Sequence, residues 1–218
     1  FPTPTGFEVV GSAGGGGGGS GTFVYMAIRR GGMQTPSTPS DVFHIQSQSN
    51  ADSYSVGFPT DLVLLNKTGG SSANSYVGSR LIGNSKYLVT NTSAAEASSS
   101  NLWTFDGATT KNDFDQGAST SSAWVGWHWA RARGYFDAVA YSGTGSARTI
   151  SHNLGVAPEM MWVKKRSGSN NWKTFHSSLG ATKSMEINTT VAAETNGSAL
   201  WNSTAPTASV FTVGSAGD

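Results

Sequence analysis

Four histidines, His44, His128, His152 and His176, and thirteen carboxylates are the side chains on which metal or acid–base chemistry would rest. A zinc site needs such residues at close, repeated spacings, as in HExxH. None of the four histidines falls into such a pattern. His152 lies in ISHNLGVAP, a strand end followed by a turn, and its ring is expected to bond a loop carbonyl. Glycan hydrolysis needs two carboxyl groups about 5 to 10 Å apart. Asp113, Asp115 and Asp137 are the candidates, with solvated turn acids as the plainer reading. Nucleophilic acyl transfer of the hydrolase type needs a GxSxG elbow, which is missing from the sequence. The run Gly14–Gly19 is followed by no GK[ST] and is therefore no phosphate loop. It reads as a permissive hairpin loop or a packed glycine loop at an exposed tip. The Asn-x-Ser/Thr sites at Asn66, Asn91, Asn188, Asn196 and Asn202 accept sugar only in a eukaryotic secretory path, and a Ser/Thr-rich chain acquires them by composition. The expectation is no catalytic residue, no metal ligand and no cofactor.

Aromatic side chains remain. Trp103 and Trp201 recur at matching places and are expected in the core. Trp127, His128, Trp129, Trp162 and Trp172 differ between those places. They are candidate surface contacts, able to stack on sugars or to seal a subunit contact. Half-buried sheet positions are the alternative.

The matching places come from an internal repeat, the pattern to look for first because it sets the fold. Asp61-Leu-Val-Leu-Leu-Asn-Lys67 aligns with Glu159-Met-Met-Trp-Val-Lys-Lys165, an offset of 159 − 61 = 98. Pro59 and Pro158 precede the two blocks. Leu81 meets Leu179 and Leu102-Trp103 meets Leu200-Trp201 at the same offset; Lys86 meets Lys183, Asn91-Thr92 meets Asn188-Thr189, and Phe114 meets Phe211 at 97. FVYMAIRR (23–30) resembles WVGWHWAR (124–131), and FEVVGSAGG from Phe7 resembles FTVGSAGD from Phe211. The chain thus divides into the C-terminal part of one unit (1–36), a full unit (37–134) and a further unit (135–218) truncated before its last strand.

Period-two alternation marks the strands that carry these residues. Trp124, Gly126 and His128 oppose Val125, Trp127 and Trp129, and both faces are apolar enough for a central strand. LVLLNK and MMWVKK read as buried strands entered through proline. KYLVTN, KSMEIN and YFDAVAYSG (from Tyr135) read as further strands. No stretch of eleven residues has good helical periodicity, and Ser93–Asn101 is the one place for a short helical turn. Five to eight short strands per unit indicate an all-β fold of tandem β-sandwich, jelly-roll-like domains with little helix. A β-barrel is the runner-up. The repeat length argues against a parallel β-helix.

Charged residues are 12% of the 218, against roughly 25% in typical soluble domains. With 28 glycines and abundant Ser, Thr and Asn, the surface is built from hydroxyls, amides and turns. The net charge of +1 offers no field for nucleic acid or anionic lipid. The absence of cysteine excludes disulfides and thiolate metal sites. Apolar runs are only a few residues long, as at Leu62–Leu65, so no membrane insertion is expected. No signal peptide is seen, and a start at Phe1 suggests a processed product or a fragment.

At TISHNLGVAPEMMWVKKRSGSNNWKTFHSSLGATKSMEINTT and LWNSTAPTASVFTVGSAG the chain resembles a repeat domain of unassigned function found in large structural, tail- or fibre-like proteins of marine bacteriophages. FVYMAIRRGGMQTP and GWHWARARGYFDAVAYSGTG resemble the ends and joins of such units. SVGFPTDLVL of the first unit departs from the pattern, since it lacks the HNLG of the second. The resemblance implies tandem β domains in a virion, with other copies of itself or other virion proteins as partners. It carries over no catalytic residue. The expected function is structural, in a tail, fibre or adhesion apparatus that touches host-surface glycan through many weak contacts. The alternatives are a glycan-depolymerising tail enzyme and a capsid decoration protein.

Overall fold

A central strand with apolar residues on both faces needs a cover on each side, and this requirement organises the chain. A computed structural model describes residues 2–3, 6–7, 33–48, 53–68, 74–99, 103–105, 109–112 and 124–216. Its contacts divide into two units, Phe1–Gly32 and Met33–Asp218. In the first, β1 (Pro2–Thr3) pairs antiparallel with β2 (Gly6–Phe7).

The second unit holds β3 (Phe43–Gln48), β4 (Ser53–Ser55), β5 (Leu62–Lys67), β6 (Ser75–Ser79), β7 (Lys86–Val89), β8 (Ala97–Ser98), β9 (Trp103–Thr104), β10 (Thr109–Asn112) and β11 (Trp124–Trp129). These are followed by β12 (Arg148–Ser151), β13 (Met160–Val163), β14 (Lys173–His176), β15 (Lys183–Glu186), β16 (Glu194–Thr195), a one-turn helix α1 (Ser198–Trp201) and β17 (Val210–Val213). The fold is all-β, in antiparallel sheets. A six-stranded sheet runs β3-β11-β5-β6-β7-β8 and a three-stranded one β4-β10-β9. The next copy repeats them as β13-β14-β15-β16 and β12-β17.

Register repeats along with order. Val63 lies opposite Gly78, and Met161 opposite Phe175. Val77 faces Leu88 as Thr174 faces Met185, and Tyr87 faces Ala97 as Ser184 faces Glu194. Local hydrogen bonds recur at the same positions. The Ser75 N–H donates to Asn91 Oδ1 at 3.0 Å, and the Trp172 N–H to Asn188 Oδ1 at 2.8 Å. The Arg80 N–H donates to the Asp61 carbonyl, and the Ser177 N–H to that of Glu159. The asparagines of two glycosylation-like triplets are therefore loop clamps. Phe114 and 23–30, two further parts of the repeat alignment, lie outside the described residues.

Each copy is pinned by one indole. Trp103 Nε1–H donates to the Lys86 carbonyl at 2.9 Å, and Trp201 Nε1–H to the Lys183 carbonyl at 3.1 Å. Both rings are buried. Trp103 packs with Val63, Leu65, Phe105 and Trp124, joining the two sheets of the first sandwich. Trp201 packs with Phe175, Leu200, Met161 and Val163, the last two standing where Val63 and Leu65 stand. The backbone that delivers the indole differs: strand β9 in one copy, helix α1 in the other. A Cβ on Gly78 would lie 2.3 Å from the Trp103 ring, so that indole lies flat on the strand. Phe175 fills the equivalent position, and Trp201 meets it edge-on, with centroids 5.9 Å apart at 78°. A flat approach is blocked there.

Two expected elements differ. Tyr135–Gly143 forms no strand beyond a bridge between Ala132 and Phe136. Asp137 is instead tied to Arg131 Nε at 2.5 Å and to the Asn153 N–H at 2.7 Å, which holds the backbone off any ladder. Ser93–Ser99 forms no helical turn, because Ala97–Ser98 pairs with β7 as β8.

Gly78→Ala is expected to lower stability by about 1–3 kcal/mol through overpacking against Trp103. Trp103→Ala or Trp201→Ala is expected to cost about 3–5 kcal/mol. Urea unfolding followed by circular dichroism measures both; a loss below about 1 kcal/mol for either indole would contradict the pinning role.

Candidate functional site

The seam between the two copies is built by the hairpin loop that joins β13 to β14. Trp172, at its end, is 5% exposed and packs with Leu64, Val77 and Leu88 on the outer face of the six-stranded sheet. Its Nε1–H donates to the Val89 carbonyl at 2.8 Å, which satisfies the one polar atom of a buried indole. Around it, Arg166 grips Glu96 through Nε at 2.5 Å and Nη2 at 3.2 Å, and the Glu96 N–H donates to the Arg166 carbonyl at 2.8 Å. Lys164 Nζ donates to the carbonyls of Ser93, Lys165 and Gly168. Burial pushes the Lys164 pKa down. A second contact lies beyond β11, where Phe136 stacks on Trp129 at 5.7 Å and Trp129 also meets Phe43 at 5.3 Å.

Two of the five aromatic surface candidates are corrected by these positions. Trp172 is seam core, because its indole is the cover that the apolar outer face of β5 requires. His128 is 0% exposed and faces the inside of the first sandwich, opposite His44 on β3 and Val63 on β5. Trp129 is half-buried under Phe136. Trp127 and Trp162 remain exposed, at 39% and 42%. Trp127 stands beside the exposed Ile45 on β3, and Trp162 shares the outer face of β13 with the exposed Met160. Sequence reasoning missed the carboxylate that organises the first sandwich, Asp61. It is buried, accepts from Arg80 Nε at 3.2 Å and from the Arg131 N–H at 2.8 Å, and so ties together the ends of β5, β6 and β11. Its partner Arg80 lies 19 residues along the chain, across β5 and β6, so the pairing leaves no local signal.

His152, His176 and Asp137 take structural roles. His152 Nε2 contacts the Thr207 carbonyl at 3.1 Å, and its Nδ1 accepts the Leu154 N–H. His176 Nδ1 accepts from Ser178 and caps a 3-10 turn. Asp137 is buried in its ion pair with Arg131, a correction to its reading as a solvated turn acid. Asp113, Asp115 and Gly14–Gly19 lie outside the described residues. Among the described residues, no group of three His, Asp or Glu could hold a metal ion. A cleft of about 210 Å³ lined by Pro36, Pro39, Arg133 and Tyr135 is below the roughly 300 Å³ of ordinary ligand pockets. Among the described residues, no helix is long and apolar enough to cross a membrane.

Burial first, and the His44 charge second, push the His128 pKa from 6.5 to about 3. An unfolded chain takes up that proton near pH 6.5, while the fold resists it until about pH 3. Stability from the neutral ring is therefore complete above pH 6.5 and drains as pH falls, by about 1.4 kcal/mol per unit. Between pH 6.5 and 5 the urea midpoint should fall accordingly, and His128→Leu should flatten that slope. An unchanged slope in the variant would assign the acid sensitivity elsewhere. Trp172→Ala is expected to cost about 3–5 kcal/mol and to split thermal unfolding into two transitions, visible by calorimetry.

Comparison with known proteins gives one match and two blanks. No curated protein matches the chain, and no solved structure matches it. The family match begins at Thr38, at the cap of the 3-10 turn before β3, and runs through residue 218, across both copies and their seam. The chain belongs to the DUF7483 family, a domain of unknown function.

Proposed function

We propose that this chain is a structural and contact module of a bacteriophage virion, in its tail, fibre or adhesion apparatus. The observation that carries the reading is the seam. Trp172, which stands where the first copy has Ser75, is spent on joining one copy to the next. Asp61, Asp137, His152 and His176 are likewise spent on clamps. A chain built this way works by repetition and shape, and the reading assigns it no catalytic step. The virion location rests on the resemblance of its repeat to phage structural proteins.

Contact with host-surface glycan falls to the outward apolar pair Ile45 and Trp127, of which the indole is the stacking face. An exposed indole on a rigid sheet offers a stacking face without an ordering cost. A single such face binds weakly, and linking copies raises the apparent affinity by about 10²- to 10⁴-fold.

The test uses the 218-residue chain fused to a trimerising coiled coil. Adsorption to host cells is expected to rise by at least tenfold over the unfused chain, and Trp127→Ala is expected to remove most of the gain. Incubation with host polysaccharide should release no new reducing ends. Release that one carboxylate substitution abolishes would replace this reading with a depolymerase. Assembly into particles without adsorption would leave a spacer.

A further inference from the structure

Arg131 is paired with Asp137, and Arg166 with Glu96. Arg133 is exposed, and among the described residues no carboxylate pairs with it. Its place is fixed all the same. The Arg133 N–H donates to the Gln34 carbonyl at 3.0 Å, and the Gly134 N–H to the Leu154 carbonyl at 2.7 Å. The side chain lies across Gly155, where a Cβ would meet Arg133 Nε at 2.6 Å and Cζ at 3.1 Å. Gly155 has a φ of +79°, which glycine adopts without strain, and its missing side chain is the seat of the guanidinium. A cation held in this way loses little further freedom when it binds an anion.

The same turn lines the cleft of about 210 Å³. Tyr135, 45% exposed, offers its ring there. The rest of the lining is residues 35–39, stiffened by Pro36 and Pro39. Within it, Ser37 and Thr38 each donate a backbone N–H and a hydroxyl to Asp41. These bonds, the Ser37 hydroxyl foremost, bring the Asp41 pKa down to about 2. The Asp41 charge is thus taken up by its own loop, and the two hydroxyl oxygens keep lone pairs that can accept from a ligand.

We propose that this cleft binds one carboxylate-bearing sugar residue, a uronic acid, of a host-surface polysaccharide. The Arg133 guanidinium takes the carboxylate, because its planar fork matches two carboxylate oxygens. The Tyr135 ring lies against the pyranose, and the Ser37 and Thr38 hydroxyls accept from those of the sugar. The volume suits a single sugar residue, with the polymer continuing outside. A peptide would instead dock its backbone along a strand edge or in a long groove. The site is particular to this join between copies. In the repeat alignment Arg133 and Tyr135 fall on Gly32 and Gln34 (124 − 23 = 101), and Gly155 falls on Gly57 (155 − 57 = 98). Gly57 keeps a φ of +84°, yet among the described residues nothing lies within 4 Å of a Cβ placed on it. The seat recurs, and the arginine that occupies it does not. This deepens the glycan-contact reading above and rests on it for its biological use.

Calorimetric titration of the 218-residue chain with trimers of galacturonic, glucuronic and mannuronic acid tests the site. At least one trimer is expected to bind at least tenfold more tightly than its methyl ester, and more weakly as salt rises. Arg133→Gln should raise that Kd at least tenfold with an unchanged circular dichroism spectrum. Arg133→Lys, which keeps the charge without the fork, should raise it at least threefold. Tyr135→Ala should weaken acid and ester alike, and Trp127→Ala should change neither. No affinity for any trimer, equal affinity for acid and ester, or an indifferent Arg133→Gln would each overturn the proposal. Hexaglutamate bound as tightly as the best trimer would overturn it in favour of an acidic peptide. If no trimer binds while the trimerised fusion still adsorbs to cells through Trp127, this site falls and the contact reading stands. A trimer bound by a chain whose fusion does not adsorb would keep the site and remove that reading.

Discussion

A sheet that is apolar on both faces must be covered twice, and the rest of this molecule follows from that constraint. Val63 and Leu65 point to one side of β5, Leu62 and Leu64 to the other. The inner side is closed within its own copy by Trp103, Phe105 and Trp124. Among the described residues, the outer side is closed by Trp172 from the following copy. At about 25 cal/mol per Å² of apolar surface removed from water, neither cover is optional for a chain of marginal stability. The copies therefore share one compact unit instead of standing as beads on a linker.

The duplication is conserved where it is hardest to alter. Strand order, register, the indole-to-lysine-carbonyl bond and the asparagine clamp all recur, because a one-residue slip would turn every side chain to the opposite face. Divergence gathers where the two copies have different neighbours. Gly78 and Phe175 exchange a flat indole for an edge-on one and a strand for a helical turn. Tyr76, which packs against Trp124 in the first copy, is replaced by Lys173, ion-paired with Glu186; that pairing holds the Glu186 carboxyl below its usual range. Ser75 is replaced by Trp172, which turns a hairpin end into a joint.

Polar chemistry in this chain serves geometry. Asp61 is buried and would be costly if it did not hold Arg80 and the Arg131 N–H at once. His128 is held neutral by burial, which makes it a liability in acid. Asp137 exchanges a strand for an ion pair. Asp61 and Asp137 are the kind of group a search for catalysis would select, and both are committed to clamps.

The sequence by itself determined the all-β class, the repeat and its anchors, because period-two alternation and a 97- to 98-residue offset are properties of order along the chain. It also marked Trp103 and Trp201, since two indoles at matching phase in two copies share a packing role. The two faces of β11 were legible from its alternation alone. Which of those faces lay bare was not. His128 and Trp172 are buried and Trp127 and Trp162 exposed for one reason: burial depends on which element arrives from elsewhere in the fold. Tyr135–Gly143 alternates well enough for a strand, yet it finds no partner edge and is held by Asp137 instead. Only tertiary structure distinguishes a covered face from a bare one, because the covering element, as with Trp172 over Leu64, lies far along the chain and its arrival is set by packing.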